Sequence, residues 1–207
     1  MTLKFAVNNS LSAITSLPSS ISGGALNLIS TQTASASATI DFTSGIDSTY
    51  DSYVFKFIDI HPATNRAIFG FNLSTDSGSN YNVTKTTTAF IAFHSETNDA
   101  DVALSYDTGF DLAQSTADQR LTQYISSDGD SSASGNMSLF NPASTTYVKH
   151  FISSCNNMVI TSDLTEYFTM NQYVAGYGNT TSAVDAIRFQ FSSGNIDAGT
   201  IKMYGVK

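Results

Sequence analysis

Tryptophan is absent from the chain, proline occurs only three times and cysteine once in 207 residues, and just 13% of the side chains are charged. A single cysteine, Cys155, cannot close an intramolecular disulfide, and it leaves the redox compartment open. Basic residues are scarce too: nine Lys and Arg stand against 17 Asp and Glu, for a formal charge of −8. The basic footprint of a nucleic-acid binder is therefore missing, and an anionic membrane surface would repel the chain. No apolar run approaches the eighteen or so residues of a membrane-spanning helix. The opening residues, MTLKFAVNNSLSAITSLP, do not make a secretory leader, because Asn8, Asn9, Ser10 and Ser12 interrupt any apolar core of one. Met1 is read as the start of the working protein.

What is present points to strands. Hydrophobic residues make up 41% of the chain, with 14 Phe and ten Tyr, and much of the remainder is Ser, Thr and Asn. Those polar residues disfavour helix interiors and favour turns, Thr also favours strands, and aromatic residues suit strand faces. A chain of this length can bury a core without disulfides or metals. The expected fold is all-β.

Period-two alternation recurs along the chain. Residues 1–40 form a small, hydroxylated block with Pro18 and Gly23-Gly24 as breakers. Within it Ser30 to Thr39 reads equally as an edge strand, an extended arm or a linker. Tyr53 to Ile60 sets Tyr53, Phe55 and Phe57 on one face and Val54, Ile58 and Ile60 on the other, as in a central strand ended by Pro62. Phe69, Phe71 and Leu73 alternate with Gly70 and Asn72, which are expected to point outward. Further short strands follow at Tyr81–Thr88, Phe90–His94, Val102–Tyr106, Asn136–Phe140, Tyr147–Ser154, Met158–Ile160, Glu166–Met170 and Tyr173–Tyr177. Thr108 to Ile125 is the helix candidate, with Leu121 and Ile125 four apart; a long loop crossing the end of a sandwich is the other reading. The last residues alternate through Ile187, Phe189 and Phe191 and again through Ile201 and Met203, which predicts a closing hairpin whose last strand pairs near Tyr53–Ile60. Ten to twelve short strands separated by turns predict a jelly-roll-like β-sandwich with a short helix or long loop insertion. The domain division is an N-terminal arm or attachment region with an edge strand at 1–40 and the β-sandwich at 41–207. FTSGIDSTY (42–50) and FSSGNIDAGT (191–200) echo each other, either as two equivalent turns leading into strands or by chance among Ser- and Gly-rich turns.

Chemistry-bearing patterns are few. His61, His94 and His150 lie in separate strands without metal-ligand spacing, no G-x-S-x-G elbow occurs, and Cys155 reads as a buried structural thiol. Asp99 with Asp101, or Asp128 with Asp130, are carboxylate pairs of the type a glycosidase uses, but both fall in hydrophilic loops. Asp128-Gly129-Asp130 lacks the register of an EF-hand. No catalytic residue, cofactor or metal is expected. Tyr173 and Tyr177, flanking Gly176, are the candidate contacts for a glycan or a subunit interface.

NLISTQTASASATIDFTSGIDSTYDSYVFKFIDIHPAT (27–64) and AIRFQFSSGNIDAGTIKMYGVK (186–207) resemble segments of small virion structural proteins of tailed phages of marine bacteria. FNPASTTYVKHFIS (140–153) and GYGNTTSAVDAIRF (176–189) are similar to the intervening parts. The resemblance implies a non-enzymatic protein made in the host cytoplasm and placed on the virion surface. It would be displayed as a multimeric tail-fibre or knob-like module, with a homotrimer the expected state by analogy. The N-terminal region would meet other virion proteins, and a host surface glycan is a further expected partner. A capsid decoration or cement protein and a glycan-binding module are the alternatives, and no defined binding residue carries over.

Overall fold

A computed structural model describes residues 26–97 and 100–207. Twelve strands follow one another: β1 (Asn27–Thr33), β2 (Ile40–Phe42), β3 (Ser52–Pro62), β4 (Phe69–Ser74), β5 (Lys85–Ser95), β6 (Val102–Tyr106), β7 (Gln119–Arg120), β8 (Ala133–Phe140), β9 (Lys149–Ile160), β10 (Tyr167–Gly178), β11 (Ala186–Phe191) and β12 (Ile196–Val206). They form two antiparallel sheets of unequal size. The large one runs β1-β12-β3-β8-β9-β10-β5-β6 and the small one β2-β11-β4-β7. The all-β sandwich expected from the alternation is what forms; a jelly-roll connectivity goes beyond what this strand order shows.

Three details differ from the sequence reading. No helix occurs among the described residues. In Thr108–Ile125 the apolar pair Leu121 and Ile125 is recruited by a sheet edge instead: their amides donate to the carbonyls of Phe69 (2.8 Å) and Ala67 (3.0 Å), so the segment is a long loop laid along the small sheet. That loop also buries the outer side of β4, where Asn72 donates to Thr116 O (2.9 Å) and Asp118 Oδ1 (3.0 Å) rather than facing water. Third, β11 and β12 are not a hairpin, since they belong to different sheets. Both carry buried apolar residues, and each is flanked by two strands, β2 and β4 for β11, β1 and β3 for β12. The pairing of β12 with β3 is the one anticipated for the chain's last strand. Several expected short strands are also continuous, such as β9, which runs through both Tyr147–Ser154 and Met158–Ile160, and β1 is an edge strand of the large sheet.

The echo between residues 42–50 and 191–200 has a structural counterpart. After Phe42 and after Phe191 the chain leaves the small sheet, passes Ser-Gly and enters β3 or β12 of the large one. Gly45 and Gly194 both take left-handed backbone (φ 82° and 69°), and Ile46 and Ile196, which follow, are both buried. A Cβ on Gly194 would lie 2.1 Å from Thr64 Oγ1, so the arch needs glycine for both conformation and space. Because β2 runs antiparallel to β11 and β3 to β12, the two arches lie at opposite ends of the sandwich.

The core lies between the sheets and is aromatic. Phe189 stands at its centre, with ring centroids 5.2 to 6.4 Å from those of Phe42, Phe55, Phe57, Phe69 and Phe71. Tyr53, also fully buried, satisfies its hydroxyl on Asp47, donating to the carbonyl oxygen (2.9 Å) and accepting from the amide (2.8 Å). Ile60 was expected with Val54 and Ile58 on the opposite face from Phe57. A bulge between Phe57 and Ile60, with Asp59 at φ 52°, turns Ile60 into the core. The small sheet does not reach across all eight strands of the large one. A second apolar cluster of Val159, Phe168 and Met170, packed with Ile91, Phe93 and Tyr124, occupies the remainder.

Two lysines, Lys85 and Lys149, are buried within the fold. Lys85 is fully buried; its Nζ donates to Asn72 Oδ1 (2.6 Å) and Val83 O (2.9 Å). Desolvation lowers its pKa to about 8 against the partial opposition of Asp118. The folded chain thus releases this proton at lower pH than the unfolded chain. Between pH 8 and 10.5 the unfolded state binds more protons, so stability rises with pH there, and the penalty is fully present below pH 8. At about 1.4 kcal/mol per pKa unit the penalty is about 3 kcal/mol. Replacing Lys85→Met removes it. Chemical denaturation of both proteins should show the stability difference between variant and parent moving by about that amount in the parent's favour from pH 8 to 10.5. A pH-independent difference would contradict the burial of a charged Lys85.

Candidate functional site

The outer face of the large sheet combines exposed apolar side chains with low charge. Its side chains fall into rows fixed by strand register. One row runs Tyr106, Phe90, Tyr173, Ser154, Asn136, Lys56 and Lys202; the next runs Thr88, Ala175, Ile152, Ser138, Val54, Tyr204 and Leu28. Leu104, Ala92, Asn171, Asn156 and Ser134 form a third. Alternation puts the partners of these residues in the core, which leaves Leu28, Ile58, Phe90, Val102, Leu104, Tyr106, Phe140 and Ile152 exposed on the far side. Ile152 is 57% exposed and Leu104 73%. Exposed leucines scattered singly need no explanation, but a contiguous set on one face does.

Charge is distributed unevenly. Of the chain's 17 Asp and Glu residues, only Asp59 and Asp197 fall within the eight strands of the large sheet. Both sit at register shifts, where β3 and β12 leave regular pairing. None of the three rows contains a carboxylate. Two lysines are present, Lys56 and Lys202, opposite one another, with the Lys56 Nζ lying 5.5 Å from the Tyr204 ring centroid. By strand spacing the rows extend roughly 34 Å across the sheet and about 17 Å along it, on the order of 600 Å². That is of the order of the ~800 Å² that each partner contributes to a standard interface, and nine of the nineteen side chains in the rows are Ser, Thr, Asn or Lys. Depletion of charge with enrichment of Tyr and Phe is the composition of an interface centre.

Tyr173 and Tyr177 both lie on this face, half-buried. The ring of Tyr173 stacks on Phe90 at 4.7 Å and 14°, and its hydroxyl accepts from Asn171 Nδ2 (3.0 Å). Tyr177 meets His150 edge-on at 5.9 Å. A shallow depression of about 420 Å³ beside Tyr177 is lined by Thr88, His150, Ile152 and Ala175 among others. The position of the two tyrosines around Gly176 does not point to Phe90, Leu104, Ile152 or Leu28. The signal available was the absence of charge from NLISTQT, VALSY, ASGNMSLF and YFTMNQYVAGYG.

The other candidates remain apart. His61 Nδ1 lies 2.6 Å from Ser131 O, His94 Nδ1 lies 2.6 Å from Ser95 O, and His150 packs on Tyr177. Among the described residues no group of three or more His, Cys, Asp or Glu is arranged to hold a metal ion. Asp99 lies outside the described residues. Asp128 accepts from Ser126 Oγ (2.8 Å) and from the Tyr167 hydroxyl, and these bonds, Tyr167 first, hold its carboxyl below the ordinary carboxylate range. That is the reverse of what a general acid needs. Cys155 is buried, and desolvation pushes its thiol up to about 12, so it is a poor nucleophile in the folded protein.

Compared with known proteins, the chain matches no family model, no curated protein and no solved structure.

Proposed function

We propose that this chain is a non-enzymatic structural protein of a tailed-phage virion. In this reading it is a multimeric appendage module of fibre or knob type, with copies meeting through the outer face of the large sheet. The observation that carries the multimer is a carboxylate-free face with exposed Phe, Tyr, Leu and Ile side chains in a protein of charge −8. Two copies meeting through surfaces that carry the carboxylates would set like charges against each other, whereas this face approaches its own kind without that repulsion. A second copy is therefore its occupant, and a homotrimer is the expected state. The virion setting rests on the resemblance of residues 27–64 and 186–207 to phage structural proteins, and the N-terminal region is assigned to contacts with neighbouring virion components.

Light scattering on the full chain should report a multimer. The double variant Phe90→Asp/Ile152→Asp should be a monomer with an unfolding midpoint close to that of a dissociated parent, because both side chains are exposed within one subunit. Burying two unpaired charges weakens association by at least several kcal/mol, on the order of a thousandfold. A parent that is monomeric at high micromolar concentration would sink the multimer. Imaging of labelled particles tests the setting: label at the tail supports the appendage, and label spread over the head replaces it with a decoration protein. Binding of the parent multimer to host glycan, lost in Tyr177→Ala, would move the face from assembly to recognition.

A further inference from the structure

The large sheet ends in two strands, β6 and β1, and among the described residues neither outer edge is paired. Natural edges are blunted by proline, lysine, bulges or very short strands, because an open edge templates pairing with another chain. β6 has little of this protection. It keeps regular register with β5 from Val102 to Tyr106, all five residues are exposed, and Leu104 at its middle is 73% exposed. It contains neither proline nor a charged residue. β1 is likewise free of charge and proline over seven residues, although its register with β12 shifts between Leu28 and Ser30.

We infer that β6 of one copy adds to the β1 edge of the next copy, so that the large sheets of neighbouring subunits run on as one. The inference rests on the self-association proposed above and adds an edge contact to the face contact. Charge disfavours the symmetric pairing of β6 with itself. Antiparallel pairing of β6 with itself about Leu104 would set Asp101 of each copy beside Asp107 of the other, and like charges directly opposed across strands are destabilising. β1 offers no such conflict: no acidic residue occurs between Leu26 and Ile40. Joining two different edges is a head-to-tail contact, which closes into a ring when the rotation per subunit allows and otherwise grows into a filament. Continuous sheets keep the outer faces of all copies on one side, where they remain free for the face contact proposed above.

Cross-linking of the full chain with a short bismaleimide reads out which edges meet. Cys155 is 1% exposed and gives little background. Thr31→Cys and Leu104→Cys, both on the outer face, are made singly and together. The expected result is a covalent dimer when the two single variants are co-assembled, a ladder or closed multimer in the double variant, and little product from either single variant alone. A strong dimer from Leu104→Cys alone would replace the inference with a symmetric β6 contact. No product from any combination, in a parent that light scattering shows to be multimeric, would overturn the edge pairing while leaving face-to-face association standing. A monomeric parent would overturn both.

Discussion

A chain ending at Gly199 does not fold. The eight residues removed, Thr200 to Lys207, are most of β12, and β12 lies between β1 and β3 in the large sheet. Without it β1 has no partner strand, and β3, whose Phe55 and Phe57 line the core, becomes a sheet edge. Ile201 and Met203, both fully buried, are lost outright. At about 1.5–3 kcal/mol for each buried apolar side chain, these two account for several kcal/mol. The exposed inner faces of β1 and β3 and the ladder hydrogen bonds lost on both sides of β12 add more. A domain with a net stability of about 5–15 kcal/mol does not survive that loss. The truncated chain should be insoluble, or soluble without the strand signal in far-ultraviolet circular dichroism, and rapidly degraded by protease. A truncation that folds and assembles would show that β12 is an accessory to the sandwich.

Replacing Phe189→Ala should lower stability by about 3–5 kcal/mol, the range for emptying a large aromatic site in a packed core. The upper half of that range is expected because the site cannot collapse easily. The rings around Phe189 come from both sheets: Phe42, Phe69 and Phe71 from the small one, Phe55 and Phe57 from the large one. Moving any of them into the void shifts a strand that is tied into its ladder. For a domain of this size the melting temperature should fall by roughly 10 °C or more. Phe191→Ala, at the end of the strand and with its ring tilted at 58° against that of Phe69, should cost less. Equal effects at the two positions would contradict a core centred on Phe189.

The contrast between what alternation reveals and what it leaves open follows from its physics. Period two reports which residues share a face of one strand, and it placed Tyr53, Phe55, Phe57, Phe69, Phe71, Phe189 and Phe191 in the core. It says nothing about which strand lies alongside, so β11 and β12 read as a hairpin when each belongs to a different layer. It also loses phase at a bulge, which is why Ile60 was assigned to the wrong face. The helix expected over Thr108–Ile125 failed for a related reason. Leu121 and Ile125 fit helical spacing, but the open edge of β4 offered their amides carbonyl partners that no local pattern could announce. For the candidate site, Tyr173 and Tyr177 are identifiable as aromatic residues flanking Gly176. The face itself is not, because it is assembled from eight strands whose order only the folded chain supplies.

The pairing of the first described strands with the last has a consequence in time. Asn27 lies opposite Gly205 in the large sheet and Phe42 opposite Ile187 in the small one, so each sheet is completed by joining residues about 150 to 180 positions apart. Contacts of such long range slow folding, because the entropy of closing the intervening chain is lost before the contact is gained. During synthesis β1, β2 and β3 leave the ribosome long before β11 and β12 exist. For that interval the apolar faces of β2 and β3 have no native neighbour in place on one side, and they are hazards for premature association. Slowing translation would lengthen this exposure, whereas a circular permutant that brings β11 and β12 ahead of β1 would shorten it. Yield of soluble protein should therefore depend on the order in which the strands are made, even where the final structure is the same.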